Sequence, residues 1–215
     1  YTRMVAARRE IYFPLFEKYL AKYGLPDELK YLSIIESGLN PKAVSRARAV
    51  GLWQFMGPTG RHFGLQSDWF IDDRMDPEKA TEAACKYLKE LYGMFGDWEL
   101  ALASYNAGPG NVKKAIRRSG YKKDFWQAYK YMPRETRSYV PQFVAIIYAM
   151  NYLDEHNFYD VGEEKMMPYD TLHLDRFLNF ETFANLTGIC TEDLQLLNPS
   201  VQRNAVPYKG KKQII

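Results

Sequence analysis

Apolar residues recur at helical spacing along most of this chain. Between residues 9 and 23, Tyr12, Leu15, Phe16 and Tyr19 form one stripe that stops at Gly24. Between 78 and 95, Ala84, Leu88, Leu91 and Phe95 do the same, so both stretches predict core helices. Residues 27–36 predict a third helix, because Leu29, Leu32, Ser33 and Glu36 share a face, Pro26 suits the start, and Gly38 and Pro41 end the pattern. Residues 40–50 have no clean period and predict a loop with short helical turns, leading into a helix from Gly51 or Leu52. Asp97 is a cap for a helix over 98–106 that Gly108-Pro109-Gly110 closes. Further helices are expected over 111–118, 124–131 and 135–153, the last kinked or restarted at Pro141.

The period changes after residue 160. Residues 171–180 alternate Leu172 and Leu174 against His173 and Asp175, which predicts a strand. Two short helices follow, over 180–186 and 191–197, stopped by Gly188 and by Asn198-Pro199, with a closing strand expected around 213–215. The chain therefore reads as mainly α: a helical domain over 1–158, then a small α+β appendage over 159–215.

Composition adds limits. The chain has 215 residues, 47% of them hydrophobic and 26% charged, which suits a globular protein with a sizeable core. A net charge of +3 is too small to imply a nucleic-acid partner. No run of eighteen apolar residues predicts a transmembrane segment, and the opening Tyr1-Thr2-Arg3-Met4 lacks the plan of a signal peptide. The segment is expected to be soluble as it stands, and compatible with the mature part of an exported protein. The 17 Tyr and 4 Trp provide flat faces with polar edges that suit sugar rings, although most are expected to pack the core. Cys85 and Cys190 fit no metal spacing, and no metal or cofactor is expected. Cys85 lies in a helical pattern, where a buried free thiol is the default; pairing between the two stays open.

Candidate chemistry centres on Glu36. A carboxyl group on the last turn of an apolar helix meets the negative end of the helix dipole and partial desolvation, and both raise its pKa. Such a group keeps its proton near neutral pH and can act as a general acid. On these residues alone the default is plainer: a helix-end carboxylate with its head in water.

The surroundings of Glu36 change that weighting. Glu36-Ser37 is followed by Gly51-Leu52-Trp53-Gln54-Phe55-Met56 and Thr59-Gly60-Arg61-His62-Phe63-Gly64-Leu65. Farther on come Ala103-Ser104-Tyr105-Asn106-Ala107-Gly108-Pro109-Gly110 and Met132-Pro133-Arg134-Glu135-Thr136-Arg137-Ser138-Tyr139. In this order the elements resemble the signature of the lytic transglycosylases, and over residues 10–155 the membrane-bound lytic murein transglycosylase D type. The resemblance implies a lysozyme-like helical domain. It also implies cleavage of the bond between N-acetylmuramic acid and N-acetylglucosamine without water, the muramyl C6 hydroxyl being the nucleophile.

By the same resemblance Glu36 is the catalytic acid and then the base, with the substrate's N-acetyl group steadying the cationic intermediate. Ser37, Gln54, Met56, Tyr105, Asn106 and Tyr139 are implied substrate contacts, and Glu135 is a supporting residue that could instead pair with arginines. The implied partner is the glycan of peptidoglycan, in the periplasm or cell envelope of a bacterium, and a lipid anchor upstream of Tyr1 would fit that setting. One departure is that Gly57 precedes Pro58 after Met56, where the family commonly has Pro directly. Residues 159–215 resemble a lysin motif more weakly, and bracing of the helical domain is the favoured role.

Two alternatives stand beside this reading. A hydrolytic muramidase of goose type would need a water-activating carboxylate, for which Asp68, Asp72, Asp73 and Asp76 are the candidates, although they look more like a loop and cap cluster. A non-catalytic peptidoglycan-binding scaffold would have no need of a proton donor at residue 36.

Overall fold

A stripe of aromatic and aliphatic side chains needs a partner surface, and here the helices provide it for one another. The computed structural model describes residues 1–208 and 212–214. Helix α1 (Thr2–Tyr23) begins seven residues earlier than the aromatic stripe suggests, because Val5 and Ala6 are also buried, and it ends at Gly24 in the left-handed conformation. Pro14 lies inside it on the exposed side, where the carbonyl that loses its partner can face water.

The expected helix over 27–36 divides into a 3-10 segment (Asp27–Tyr31) and α2 (Leu32–Ser37). The tighter first turns bring Lys30 to both Glu17 and Asp27, at 2.5 Å each. No helix begins at Gly51. Gly51 and Gln54 have φ of 88° and 49°, outside the helical range, and reciprocal backbone hydrogen bonds between Val50 and Phe55 close residues 50–55 into a turn. Helix α3 (Gly57–His62) follows, with Pro58 in its first turn, where a missing N–H costs nothing.

Helix α4 (Pro77–Phe95) is central. Asp76 caps it by accepting from the Glu78 and Lys79 amides, each at 3.0 Å. Its small residues Ala80, Ala83 and Ala84 are buried and allow close packing against α1 and against α5 (Trp98–Ala107). Next come α6 (Pro109–Arg118), α7 (Phe125–Ala128), a 3-10 turn (Tyr129–Tyr131) and α8 (Arg134–Asn151). The expected long helix over 135–153 is α8, and of the kink or restart expected at Pro141 the restart does not occur; Pro141 is exposed, and burial of Thr136, Tyr139, Val140 and Phe143 holds the helix on both sides of it.

Trp53 stands fully buried in the middle of this core, with its ring 4.9 Å from that of Phe16. Its indole N–H donates to Thr81 Oγ1 at 3.0 Å, and the Thr81 hydroxyl donates to the Pro77 carbonyl. Cys85 is buried in α4 as a free thiol, and Cys190 is exposed just ahead of α10 (Thr191–Leu197), also free.

The rest of the chain builds a second, smaller core from Leu174, Phe180, Leu194, Val201 and Val206, joined by Ile71 of the acidic loop. The expected single strand over 171–180 is two, β1 (Leu172–Leu174) and β2 (Leu178–Asn179), separated by residues 175–177. Helices α9 (Phe180–Thr187) and α10 follow, then β3 (Ala205–Val206) pairs with β2 and β4 (Lys212–Ile214) with β1, both antiparallel. The expected closing strand thus corresponds to β4, with Ile215 outside the described residues. No helix among the described residues is long and apolar enough to cross a membrane.

Replacing Thr81 by Val removes the acceptor of a buried indole N–H at nearly constant volume. The expected loss in urea unfolding is about 1–3 kcal/mol, with an unchanged m-value.

Candidate active site

Backbone groups in the 50–55 turn are buried outside regular structure, so their carbonyls need side-chain donors. Ser33 and Ser37, one helical turn apart on α2, both donate to the Leu52 carbonyl at 2.9 Å. Tyr105 of α5 donates to the Trp53 carbonyl at 2.7 Å. The Gln54 amide donates to the carbonyls of Gly51 and Ala43, at 2.9 and 3.2 Å. The turn is thereby fastened to both α2 and α5.

Glu36 sits on the last turn of α2, half-buried. Gly38 ends that helix at φ 61°, and the buried Leu39 continues in the left-handed region at φ 58°. Gln54 shares that conformation, so a non-glycine residue of sparsely populated backbone stands both at the end of α2 and in the turn that Ser37 holds to it. The Tyr139 hydroxyl, from α8, donates to Glu36 Oε1. Oε2 has no protein partner among the described residues.

Burial is the main force on the Glu36 titration and pushes its pKa up to about 7, with the negative charge of Glu135 adding to the rise. The Tyr139 hydrogen bond opposes both by favouring the carboxylate. Tyr105 and Tyr139 are themselves pushed well above the ordinary phenol value, first by burial and then by the charge of Glu36, so both stay neutral donors. Burial therefore leads among the causes, rather than the helix end that the sequence also suggested.

Of the other anticipated residues, Met56 is 43% exposed beside the turn. Asn106 accepts from the Thr136 hydroxyl at 2.8 Å, which leaves its amide nitrogen without a protein partner among the described residues. Ser37 and Tyr105 donate to backbone carbonyls rather than to Glu36. Glu135 is exposed and makes no ion pair with an arginine among the described residues; its reach to Glu36 is electrostatic.

The four aspartates of residues 68–76 are occupied structurally. Asp68 accepts from the Phe70 and Ile71 amides, Asp72 grips the Arg74 guanidinium through both oxygens, Asp73 pairs with Lys79 at 2.6 Å, and Asp76 caps α4. Sequence reasoning missed Arg74. Its guanidinium also reaches the Phe55 and Arg48 carbonyls, at 3.3 and 3.4 Å, and its own carbonyl lies against Gly51, where a Cβ would stand 1.8 Å from that oxygen. A glycine at 51 was the available signal, but nothing in it names the partner.

One half-buried carboxyl group beside a tyrosine, in a helical domain, is the centre of the candidate site, and the comparisons give the family of the domain. The chain belongs to the transglycosylase SLT domain family, whose pattern matches residues 14–128. Membrane-bound lytic murein transglycosylase D of Escherichia coli strain K12 is 31% identical over 219 residues, covering 100% of this chain and 48% of that protein. Soluble lytic murein transglycosylase of the same strain is 31% identical over 141 residues, covering 62% of this chain and 22% of its own. The crystal structure of the 70 kDa soluble lytic transglycosylase of Escherichia coli superposes with a TM-score of 0.57 at 30% identity, covering 66% of this chain and 24% of that one. The chain thus spans about half the length of the first of these relatives, or less of the others.

Two titration outcomes follow from the geometry. A folded-state pKa of about 7 against an ordinary 4.5 means the protein loses stability as pH rises through that window. Glu36→Gln removes the loss, so its unfolding free energy should exceed the parent's by on the order of 3 kcal/mol at pH 8 and converge with it near pH 4.5, as denaturant melts at the two pH values would read. Tyr139→Phe removes the donor that favours the carboxylate, and carboxyl-resolved NMR should find the Glu36 titration moved further up.

Proposed function

We propose that this chain is a peptidoglycan lytic transglycosylase that cleaves the β-1,4 bond between N-acetylmuramic acid and N-acetylglucosamine without water, leaving 1,6-anhydromuramoyl ends. The observation that carries this reading is Glu36, a carboxyl group pushed up to about 7 and held through one oxygen by Tyr139. With Tyr139 donating to Oε1, the proton of Glu36 resides on Oε2, the oxygen without a protein partner. It passes to the glycosidic oxygen as the bond to the muramyl C1 breaks, and N-acetylglucosamine departs with a free hydroxyl. The substrate's N-acetyl oxygen shares the positive charge at C1. Glu36, now a carboxylate stabilised by Tyr139, takes the proton of the C6 hydroxyl as that oxygen bonds to C1, which returns the acid to its starting state. A tethered nucleophile needs no second carboxylate to activate water and gains the rate advantage of an intramolecular reaction.

Gln54, Met56 and Asn106 are proposed to line the glycan site, with the Asn106 amide nitrogen available to a sugar oxygen. Ser37 and Tyr105 hold the turn through their protons and retain lone pairs for a sugar hydroxyl. The prior engagement of Asp68, Asp72, Asp73 and Asp76 favours this reading over a hydrolase. We read residues 1–158 as the catalytic domain and 159–215 as a lysin-motif-like module that braces it. The setting proposed is the periplasmic cell envelope.

Digestion of purified peptidoglycan, followed by mass spectrometry of the released muropeptides, tests the chemistry. Products one water lighter than reducing-end muropeptides, lost in Glu36→Gln, are expected; reducing-end products would sink the anhydro reading and return attention to the aspartates. In the pH dependence of kcat/KM, activity should decline above about pH 7 as Glu36 loses its proton.

A further inference from the structure

Residues 109–137 hold nine lysines and arginines against two carboxylates, although the whole chain carries only +3. On α6, Val112, Ala115 and Ile116 turn inward and Lys113, Lys114, Arg117 and Arg118 are exposed. Lys122, Lys123, Lys130 and Arg134 extend the same charge over the segment that follows, all exposed. None of these eight is in an ion pair among the described residues, whereas Lys18, Lys22, Lys30, Lys79 and Lys86 elsewhere each meet a carboxylate. Of the two acids in the stretch, Asp124 caps α7 and Glu135 stands exposed. Eight uncompensated cations on one run of surface repel one another unless an anionic partner approaches.

The basic run adjoins the elements that carry the candidate site, α6 packing against α5. Helix α6 starts directly after the Tyr105-Asn106 element and packs against the 3-10 turn at 129–131. From there Tyr129, Arg134, Glu135, Arg137 and Ser138 line an open depression of about 700 Å³. Within it Glu135 is the residue whose charge reaches Glu36, and one helical turn on is Tyr139. Stem peptides extend away from the glycan that bears them, so a strand held over Glu36 can present their carboxylates to cations beside the site.

We propose that this face binds the carboxylates of the peptide stems on peptidoglycan, so that the protein holds peptide-bearing strands in preference to bare glycan. The proposal rests on the reading of Glu36 as a glycan-cleaving acid. Stem peptides are covalently attached to the muramic acid that the site would grip, so their carboxylates arrive with the substrate. Tyr121 and Trp126 stand exposed beside α6, so a bilayer is the competing partner and vesicles enter the test.

The test uses the whole chain and a variant with Lys113, Lys114, Arg117 and Arg118 all changed to Gln, on an exposed helix face where folding is checked by circular dichroism and melting temperature. Each, in the Glu36→Gln background so that the polymer stays uncut, is applied to immobilised glycan strands, peptide-bearing or stripped of peptides by an amidase, at low and at physiological ionic strength. Four lost charges, each contributing what an exposed ion pair does, should weaken retention on peptide-bearing strands about tenfold. The retention of the chain with its cations intact should fall with salt, and its difference from the variant should shrink on stripped strands, which keep only the lactyl carboxylate. A second variant, Lys122→Gln with Lys123→Gln, should give a smaller loss of the same kind. Equal retention with and without the four cations on peptide-bearing strands would overturn the proposal, as would a difference undiminished by stripping. Charge-dependent binding to phosphatidylglycerol vesicles with none to glycan strands would overturn it in favour of a membrane. Absence of anhydro products from the parent, Glu36 in place, would defeat the reading of Glu36 instead, while the retention result still decides the basic face.

Discussion

The carbonyl oxygens of Leu52 and Trp53 are the points from which the site is built. They belong to a turn buried in the core, where no helix or strand ladder supplies donors, and each carbonyl left unpaired there would cost about 1–3 kcal/mol. Two serines on α2 and one tyrosine on α5 meet that need. The same bonds lock the helix that carries Glu36 to the helix that carries Asn106. Positioning and stability are here one set of hydrogen bonds, so loss of a donor would loosen both.

Against this rigid frame the Glu36 carboxyl group is balanced between two opposing effects. Burial and the nearby Glu135 charge favour the protonated form, and the Tyr139 hydroxyl favours the anion. In the proposed mechanism this group gives a proton and then takes one back, which needs both forms within reach, as a value of about 7 provides. Full burial without Tyr139 would keep the acid from ionising; free exposure would leave it ionised from the start.

The smaller core bears on the same turn from the other side. Ile71 is buried in that core, and the loop around it is tied to the C-terminal segment by the Asp72 amide to the Ser200 carbonyl and the Gln202 amide to the Phe70 carbonyl. Asp72 in turn holds Arg74, whose guanidinium reaches Phe55. A continuous path of hydrogen bonds and one ion pair thus joins residues 200–202 to the turn beneath the candidate site, and the acidic loop is its middle link.

Much of this was legible along the chain. Helical period, the caps Asp76 and Asp97, and the stop at Gly24 are local features, decided by neighbours within a few residues, and they located most of the helices. The ordered motifs around Glu36, Gln54, Tyr105 and Tyr139 likewise identified the family. Where the local reading failed, distant contacts had overruled it: positive φ at Gly51 and Gln54 turned an expected helix into a closed turn against Arg74, and side-chain burial on both sides carried α8 through Pro141. The sequence by itself determined which residue types were at hand, a carboxyl group at a helix end and a tyrosine a hundred residues later. Only the tertiary structure decided that Tyr139 donates to Glu36 and that Arg74 supports the turn, because desolvation and hydrogen bonding depend on distances that chain order does not encode.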